Sequence, residues 1–396
     1  MELDLVRVSR LTDYVQKLMA QQNGKELYSL YQDDINNVTP QEVLEILYKQ
    51  VQQGSSVENI LVLLDKIVCV FYHSLNAYSW EKPEQESFLG SLMQENRALL
   101  QKLEQIKELL INKDLENRNK KLIGSIRELL QFNDHYLKKE NILFPYLEKK
   151  ADAFHGLAIM WSLHNKTRSL NKKLLELLEN KSSQKAINIA IGELFFALRG
   201  LVQKEELILF PIAMDLLTEK EWEEMKVQSG EYDFPFISKP EFFVADMGIE
   251  NKGEAMEISE KYLLQTNTGI LDIKQILLIF DALPVDLSFI DENNLVKFFT
   301  RPQDRIFPRS PAVIGRDVKN CHPPESVDAV MRIIEAFRTG RKDTAVFWLN
   351  VRGKEVLIKY FALRDEQGNY RGTLEVSQDI TDIKKLDGEQ RLLDWD

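Results

Sequence analysis

The sequence predicts a multidomain chain: an all-α N-terminal part built around an antiparallel four-helix bundle, followed by an α+β domain. Three observations lead there. The chain has 396 residues, too many for one ordinary hydrophobic core. Up to about residue 220 the apolar residues recur at helical spacing, and from about residue 284 they fall into short β-branched and aromatic runs between turn signals. Finally, one short sequence is used twice, KENILFP at 139–145 and EELILFP at 205–211, each time at the end of an amphipathic helical run.

The elements follow in order. Residues 1–80 read as a small helical domain of unknown function, with LTDYVQKLMAQQ, TPQEVLEILYKQVQQG and SVENILVLLDKIVCVFYHSL as its helices. Thr39, Pro40 and Glu42 supply an N-cap, a first-turn proline and a capping acid. Residues 85–220 hold four longer helices, at about 86–112, 118–149, 156–180 and 184–215, and their short connections imply an antiparallel bundle. Residues 221–279 read as a connector, because SGEYDFPFISKP and ENKGEAMEIS are loop-like and polar. Residues 280–388 form the last domain: two strands, a helical stretch ESVDAVMRIIEAFRTG, then a three-strand meander with a hairpin loop at Gln367-Gly368-Asn369.

Composition narrows the function. The net charge of −11 disfavours nucleic-acid partners and anionic membrane surfaces. No stretch reads as a transmembrane helix, and MELDLVRVSR lacks a signal-peptide core. Two cysteines exclude a disulfide framework and a Cys-rich zinc site, so a reducing cytoplasm is the expected compartment. No nucleophilic triad and no glycine-rich phosphate loop is visible, so the chain is expected not to be an enzyme.

With only five histidines, each can be weighed singly. His155 reads as a surface loop residue and His73 as a cation near a helix end. Counting about 100° per residue brings His135, Lys139, His164, Arg168 and one or both of Glu205 and Glu206 into the bundle interior. Buried charges must be paired or bound to metal. Three arrangements meet that condition: Lys139 and Arg168 pair with the glutamates; His135, His164 and Glu206 hold one metal with Glu140 or Glu205 nearby; or both histidines are hydrogen-bonded core residues.

Over about residues 85–215 the chain resembles the hemerythrin-like (His-His-Glu cation-binding) bundle. The resemblance implies ligand positions at Asn96, at His135 and Lys139, at His164 and Arg168, and at Leu201 and Glu206. Three of these seven keep a ligating side chain, and two carry permanent cations that would repel a divalent ion. The expectation is that Lys139 and Arg168 replace the charge of the metal; iron, with oxygen or nitric oxide handling, is the alternative.

Over about residues 280–385, LPVDLSFIDENNLVKFFT, IGRDVKNCHPPESVDAVMRIIEAFRTG and SQDITDIKKL resemble a PAS domain. That implies a cupped antiparallel sheet over a ligand pocket, and the candidate lining is His322, Phe289, Phe299, Trp348 and Tyr360. His322 would be the axial ligand if the pocket held haem. The aromatic residues also suit an ordinary sheet core.

Over nearly its full length the chain resembles bacterial proteins classed under domain-of-unknown-function family 438. The Leu-Cys-Asp-x-His motif of many of these is replaced here by Leu63-Leu64-Asp65-Lys66-Ile67. The combined expectation is a cytoplasmic sensor or regulatory protein that binds a small molecule in its PAS domain and signals through a protein partner or a homodimer. Its cofactor is unknown, with none, iron and haem as the choices.

Overall fold

In a computed structural model, residues 3–53, 57–111, 115–150, 157–240, 263–301, 305–351 and 353–389 are described. They fall into two compact units, 1–248 and 249–396. His155 lies outside the described residues.

The first unit is helical. Helices α1 (Leu5–Met19), α2 (Gly24–Asn36), α3 (Pro40–Gln52) and α4 (Val57–Ala77) precede the bundle. The capping box expected at Thr39 is present: its hydroxyl accepts from the Glu42 N–H, and the Glu42 carboxylate accepts from the Thr39 N–H at 2.9 Å. These helices pack on the bundle within the same unit. Lys204 of the fourth bundle helix reaches Asp65 on α4 at 2.5 Å, and Tyr78 donates to Asp215 at 3.1 Å. Asp65, left over from the altered motif, thus balances a lysine that is itself almost wholly buried.

The bundle helices begin at Phe88–Leu110, Leu115–Leu129, Ala158–Glu179 and Gln184–Lys204. The second runs on without a break through a 3₁₀ turn, Leu130–Phe132, to Glu148. The repeated helix end explains itself here. Lys139–Leu143 and Glu205–Leu209 are both π-turns, in which the N–H of Phe144 bonds to the Lys139 carbonyl and that of Phe210 to the Glu205 carbonyl. The next residue in each copy, Pro145 or Pro211, lacks an N–H and crowds the carbonyl four residues back, so one extra residue is taken into the turn. The face shown to the core therefore shifts, and Lys138, Lys139 and Glu140 are buried in succession.

Two expectations are corrected. The fourth helix, Gln184–Leu216, is by length and composition apolar enough to cross a membrane, although none was expected to be. Its face carries buried Ile191, Leu194 and Leu198 together with buried Lys204 and Glu205. The residues expected to form a connector are also structured at both described ends. Glu219–Ser229 is a helix with a Thr218–Glu221 capping box, and Tyr232 and Phe234 beyond it are buried. At the other end, β1 (Leu263–Thr266) and β2 (Gly269–Asp272) make a hairpin, followed by the helix Ile273–Ala282.

The second unit holds a five-stranded antiparallel sheet in the order β4-β3-β7-β6-β5. Its strands are β3 (Asp286–Asp291), β4 (Val296–Phe299), β5 (Thr344–Val351), β6 (Lys354–Arg364) and β7 (Tyr370–Asp379). Alternation along β3 and β7 turns Ser288, Ile290, Thr373, Glu375 and Ser377 to the covered face. There Ile290 and Val296 pack with Val313, Val318 and Ile334, the last from the helix Pro324–Arg338.

Candidate functional site

The bundle interior holds two linked ionic clusters. In the first, His135 lies between two carboxylates: Nδ1 is 2.7 Å from Glu95 and Nε2 is 3.0 Å from Glu205. Carboxylate oxygens only accept, so both ring nitrogens donate and the ring is an imidazolium. Lys138 pairs with the other Glu95 oxygen and donates to the Asp233 carbonyl at 3.0 Å. Lys139 pairs with Glu205, and Asn96 donates to the same carboxylate at 3.0 Å. Three donors thus converge on Glu205, and only the ionised form accepts them all. Burial alone would raise its carboxyl, but the Lys139 ammonium and then His135 outweigh that and hold it far below the usual glutamate range.

In the second cluster, Arg168 grips Glu140 with two bonds of 3.0 and 2.9 Å and is braced by Asn133 at 2.8 Å and Asn165 at 2.9 Å. His164 Nδ1 is 2.7 Å from Glu140. That nitrogen carries the ring proton, so the lone pair is on Nε2, which is buried and has no partner. Burial, and then the positive charges of Lys139 and Arg168, hold the His164 pKa well below its ordinary value, and the ring is neutral. Tyr136 stacks on it at 4.5 Å.

Four cations, His135, Lys138, Lys139 and Arg168, thus face three carboxylates, Glu95, Glu140 and Glu205. All but Arg168 are fully buried. The segment after the bundle closes one flank. The Phe234 ring lies 3.9 Å from the Lys138 ammonium, and Phe236 stacks at 5.9 Å on Phe132, which stacks at 4.4 Å on His135.

Of the residues named from sequence, His135, His164, Glu140, Glu205, Lys139 and Arg168 share this interior. Glu206 does not. The π-turn directs Glu205 inward and leaves Glu206 only partly buried, within reach of Arg97 and Lys82. Burial and the neighbouring Glu205 charge push its carboxyl up. Glu95 and Lys138 were missed. The adjacency of Glu95 to Asn96, and of Lys138 to Lys139, was the available signal, but a plain helical count places neighbouring residues on different faces.

Iron does not fit these residues as they stand. Their carboxylate oxygens are taken by ammonium, guanidinium or imidazolium donors, and His164 Nε2 is the free lone pair in the cluster. Among the described residues no three His, Cys, Asp or Glu side chains are grouped to hold an ion.

In the second unit, His322 and Tyr360 meet Glu375, Thr373, Ile290 and Val318 around a cavity of about 20 Å³. Glu375 pairs with Arg309 at 3.2 Å. Phe299 packs against the neighbouring core. Phe289 and Trp348 are corrected: strand alternation places both on the opposite face, with Trp348 75% exposed. The cavity has room for roughly one water, so haem does not fit it.

Residues 87–213 match the hemerythrin HHE cation binding domain family, and residues 276–381 match the PAS domain family. The chain carries a hemerythrin HHE domain followed by a PAS domain. No curated protein matches it. Among solved structures it is similar to a C-terminal domain from Streptococcus mutans, at 31% identity over 32% of this chain and 99% of that one, with a TM-score of 0.31. It is also similar to the PAS domain of a Colwellia psychrerythraea protein, at 18% identity over 28% and 97% of the two chains, with a TM-score of 0.23. A sensory box sensor histidine kinase from Vibrio cholerae shares 14% identity over 27% and 92%, with a TM-score of 0.22. Asn96, Lys139, Arg168 and Leu201 all lie within the hemerythrin match.

Proposed function

We propose that this protein is a cytoplasmic sensor or regulatory protein, not an enzyme, belonging to the assembly classed under domain-of-unknown-function family 438. Its PAS domain takes a small ligand, and its output is contact with a protein partner or a second copy of the chain, without nucleic acid or membrane. The hemerythrin domain is a metal-free relay scaffold. The observation that carries this reading is the Lys139–Glu205 pair, flanked by His135 and Asn96 at the centre of the bundle. A fixed cation there supports a structural role, and the polar wall of the PAS cavity, His322, Tyr360 and Glu375, supports ligand sensing, for which the walls must part beyond their present room for about one water. Iron handling is the second reading, and the free Nε2 of His164 favours it.

Protein purified without affinity tags or chelators provides the test. The expected result is a colourless chain with substoichiometric iron and no Soret band. Near-stoichiometric iron with an oxo-bridge absorption band would overturn the scaffold role, and a Soret band would reinstate haem. Ligand sensing is checked separately by thermal-shift screening of small polar metabolites. Compounds that stabilise the wild type are expected to lose most of their effect on Tyr360→Phe or Glu375→Gln; hits that do so equally on both variants and the wild type would place the ligand elsewhere.

A further inference from the structure

We propose that the outer face of the fourth bundle helix, Gln184–Lys204, is the contact surface for a second copy of this chain, with Phe196 on the two-fold axis and Glu193 of each copy against Arg199 of the other. The proposal rests on the second copy as the output partner, and it goes further in assigning the surface and its pairing.

This helix is more apolar than its place in the bundle requires: only 39% of its apolar stretch is buried. Ile191, Leu194 and Leu198 enter the core. The opposite face keeps Ile189 and Phe196 52% and 63% exposed. Gly192 stands between them, and a methyl added there would meet nothing within 4 Å. The three lie at i, i+3 and i+7, which makes a straight stripe along a helix. An ion pair borders the stripe on each side. Glu193 reaches Lys173 on the third bundle helix at 3.1 Å, and Arg199 pairs with Glu104 on the first. All four of these side chains are about half exposed, so each has room for a second partner.

The spacing of the charges selects the occupant. At about 100° and 1.5 Å per residue, Glu193 and Arg199 lie about 60° to either side of Phe196, and about 4.5 Å before and after it along the axis. A two-fold axis through Phe196, perpendicular to the helix, reverses both offsets. It sets Glu193 of each copy opposite Arg199 of the other, and Phe196 against Phe196. Each side of the axis then carries a row Lys173–Glu193–Arg199–Glu104 that alternates in sign across the seam. A self-complementary patch is what a closed two-fold interface needs. A bilayer offers the Glu193 charge no partner, and the net charge of −11 opposes an anionic lipid surface.

Sedimentation velocity of the full chain over a range of concentrations tests this, with circular dichroism as the folding control. The wild type should dimerise with a Kd on the order of micromolar, because one helix and its borders make a small interface. Phe196→Glu should abolish the dimer. Glu193→Arg and Arg199→Glu should each raise the Kd at least about tenfold, since each sets like charges opposite one another on both sides of the axis. Mixed in equal amounts, these two variants should associate with each other about as tightly as the wild type does with itself, because every introduced charge then meets an opposite one. Mixing cannot repair the pairs to Lys173 or Glu104 inside one chain, so recovery reports contact between copies. Phe196→Cys should cross-link under mild oxidation, because packed helices bring residues on the axis to roughly 5 Å between Cα atoms. Ile189→Cys, whose two copies would lie about 21 Å apart, should not. A wild-type dimer that Phe196→Glu and both charge reversals leave intact overturns this surface and leaves the second copy as output. Reversals that weaken the dimer without recovery on mixing overturn the two-fold pairing. A wild type that stays monomeric throughout overturns both the surface and the second copy as output.

Discussion

Glu205→Ala is expected to destabilise the helical unit by about 3–5 kcal/mol, because removing one partner of a buried ion pair leaves the other charge uncompensated. The loss is large because Glu205 receives three groups at once. Without it the Lys139 ammonium, His135 Nε2 and the Asn96 amide all lose their shared acceptor inside a fully buried core. For a unit of this size the midpoint of thermal unfolding should fall by roughly 10 °C. Replacing both charges, as Glu205→Leu with Lys139→Met, should recover much of that, because a buried pair exchanged for well-packed apolar groups is often close to neutral. Thermal and urea unfolding of the single and double variants check this, and a Glu205→Ala cost below about 1 kcal/mol would show the pair to be solvated.

The same residue sets an acid limb. The folded-state carboxyl of Glu205 titrates below its ordinary value of 4.5. Its stabilisation is therefore complete above that value and is lost as pH falls through the lower folded value. Wild-type stability should decline with acidification below about pH 4.5 more steeply than that of the Glu205→Leu/Lys139→Met variant. Parallel pH profiles for the two would assign the acid limb to other carboxylates.

How far the sequence revealed this site follows from what helical periodicity can encode. The bundle helices and the inward placement of His135, His164, Lys139 and Arg168 came from apolar spacing and from matching helix ends. The Thr39 cap was readable because its chemistry is local. The choice of Glu205 over Glu206 was not, because it depends on the single residue added by a π-turn. The proline that closes each copy of the repeat marks where the turn departs from a regular helix, but it does not encode how many residues that turn takes in. Glu95 and Lys138 were hidden for a related reason: both are polar residues beside recognised positions, Lys138 is covered by Asp233 and Phe234, about a hundred residues later, and Glu95 is paired by Lys138 and His135 from another helix. In the PAS domain, aromatic content suggested a pocket lining. Whether an aromatic faces the pocket depends on strand register, which placed Tyr360 beside the cavity and Trp348 on the far face. The helix Glu219–Ser229 carried its capping signal in Thr218 and Glu221, but only Met225 and Ser229 of it are buried, so it lacks the apolar stripe that marks a helix in sequence.

Gly372→Ala is expected to be the most damaging single-methyl change in the PAS domain. Gly372 begins the part of β7 that pairs with Asp291, and its φ of +141° is one that side-chain-bearing residues rarely adopt. A Cβ there would lie 2.3 Å from the Ile290 carbonyl oxygen and 2.7 Å from the Phe289 ring. The ring can turn, but the carbonyl belongs to the neighbouring strand and moves only if the β3–β7 ladder opens. A backbone clash added to an unfavourable φ should cost about 3–5 kcal/mol, at the diagnostic end of single substitutions. Gly340→Ala is the control, because its φ is +72° with nothing within 4 Å of the added methyl. It should cost only about 1–2 kcal/mol, the conformational penalty alone. Hydrogen exchange on the full chain should show Gly372→Ala losing protection in 286–291 and 370–379 while 88–216 keep theirs; equal protection in the two glycine variants would mean that the strands do not approach this closely. The functional consequence follows from the same strand. Thr373 and Glu375, next on β7, form part of the cavity wall, so opening the ladder should abolish small-ligand stabilisation and leave the ionic core of the hemerythrin domain unchanged.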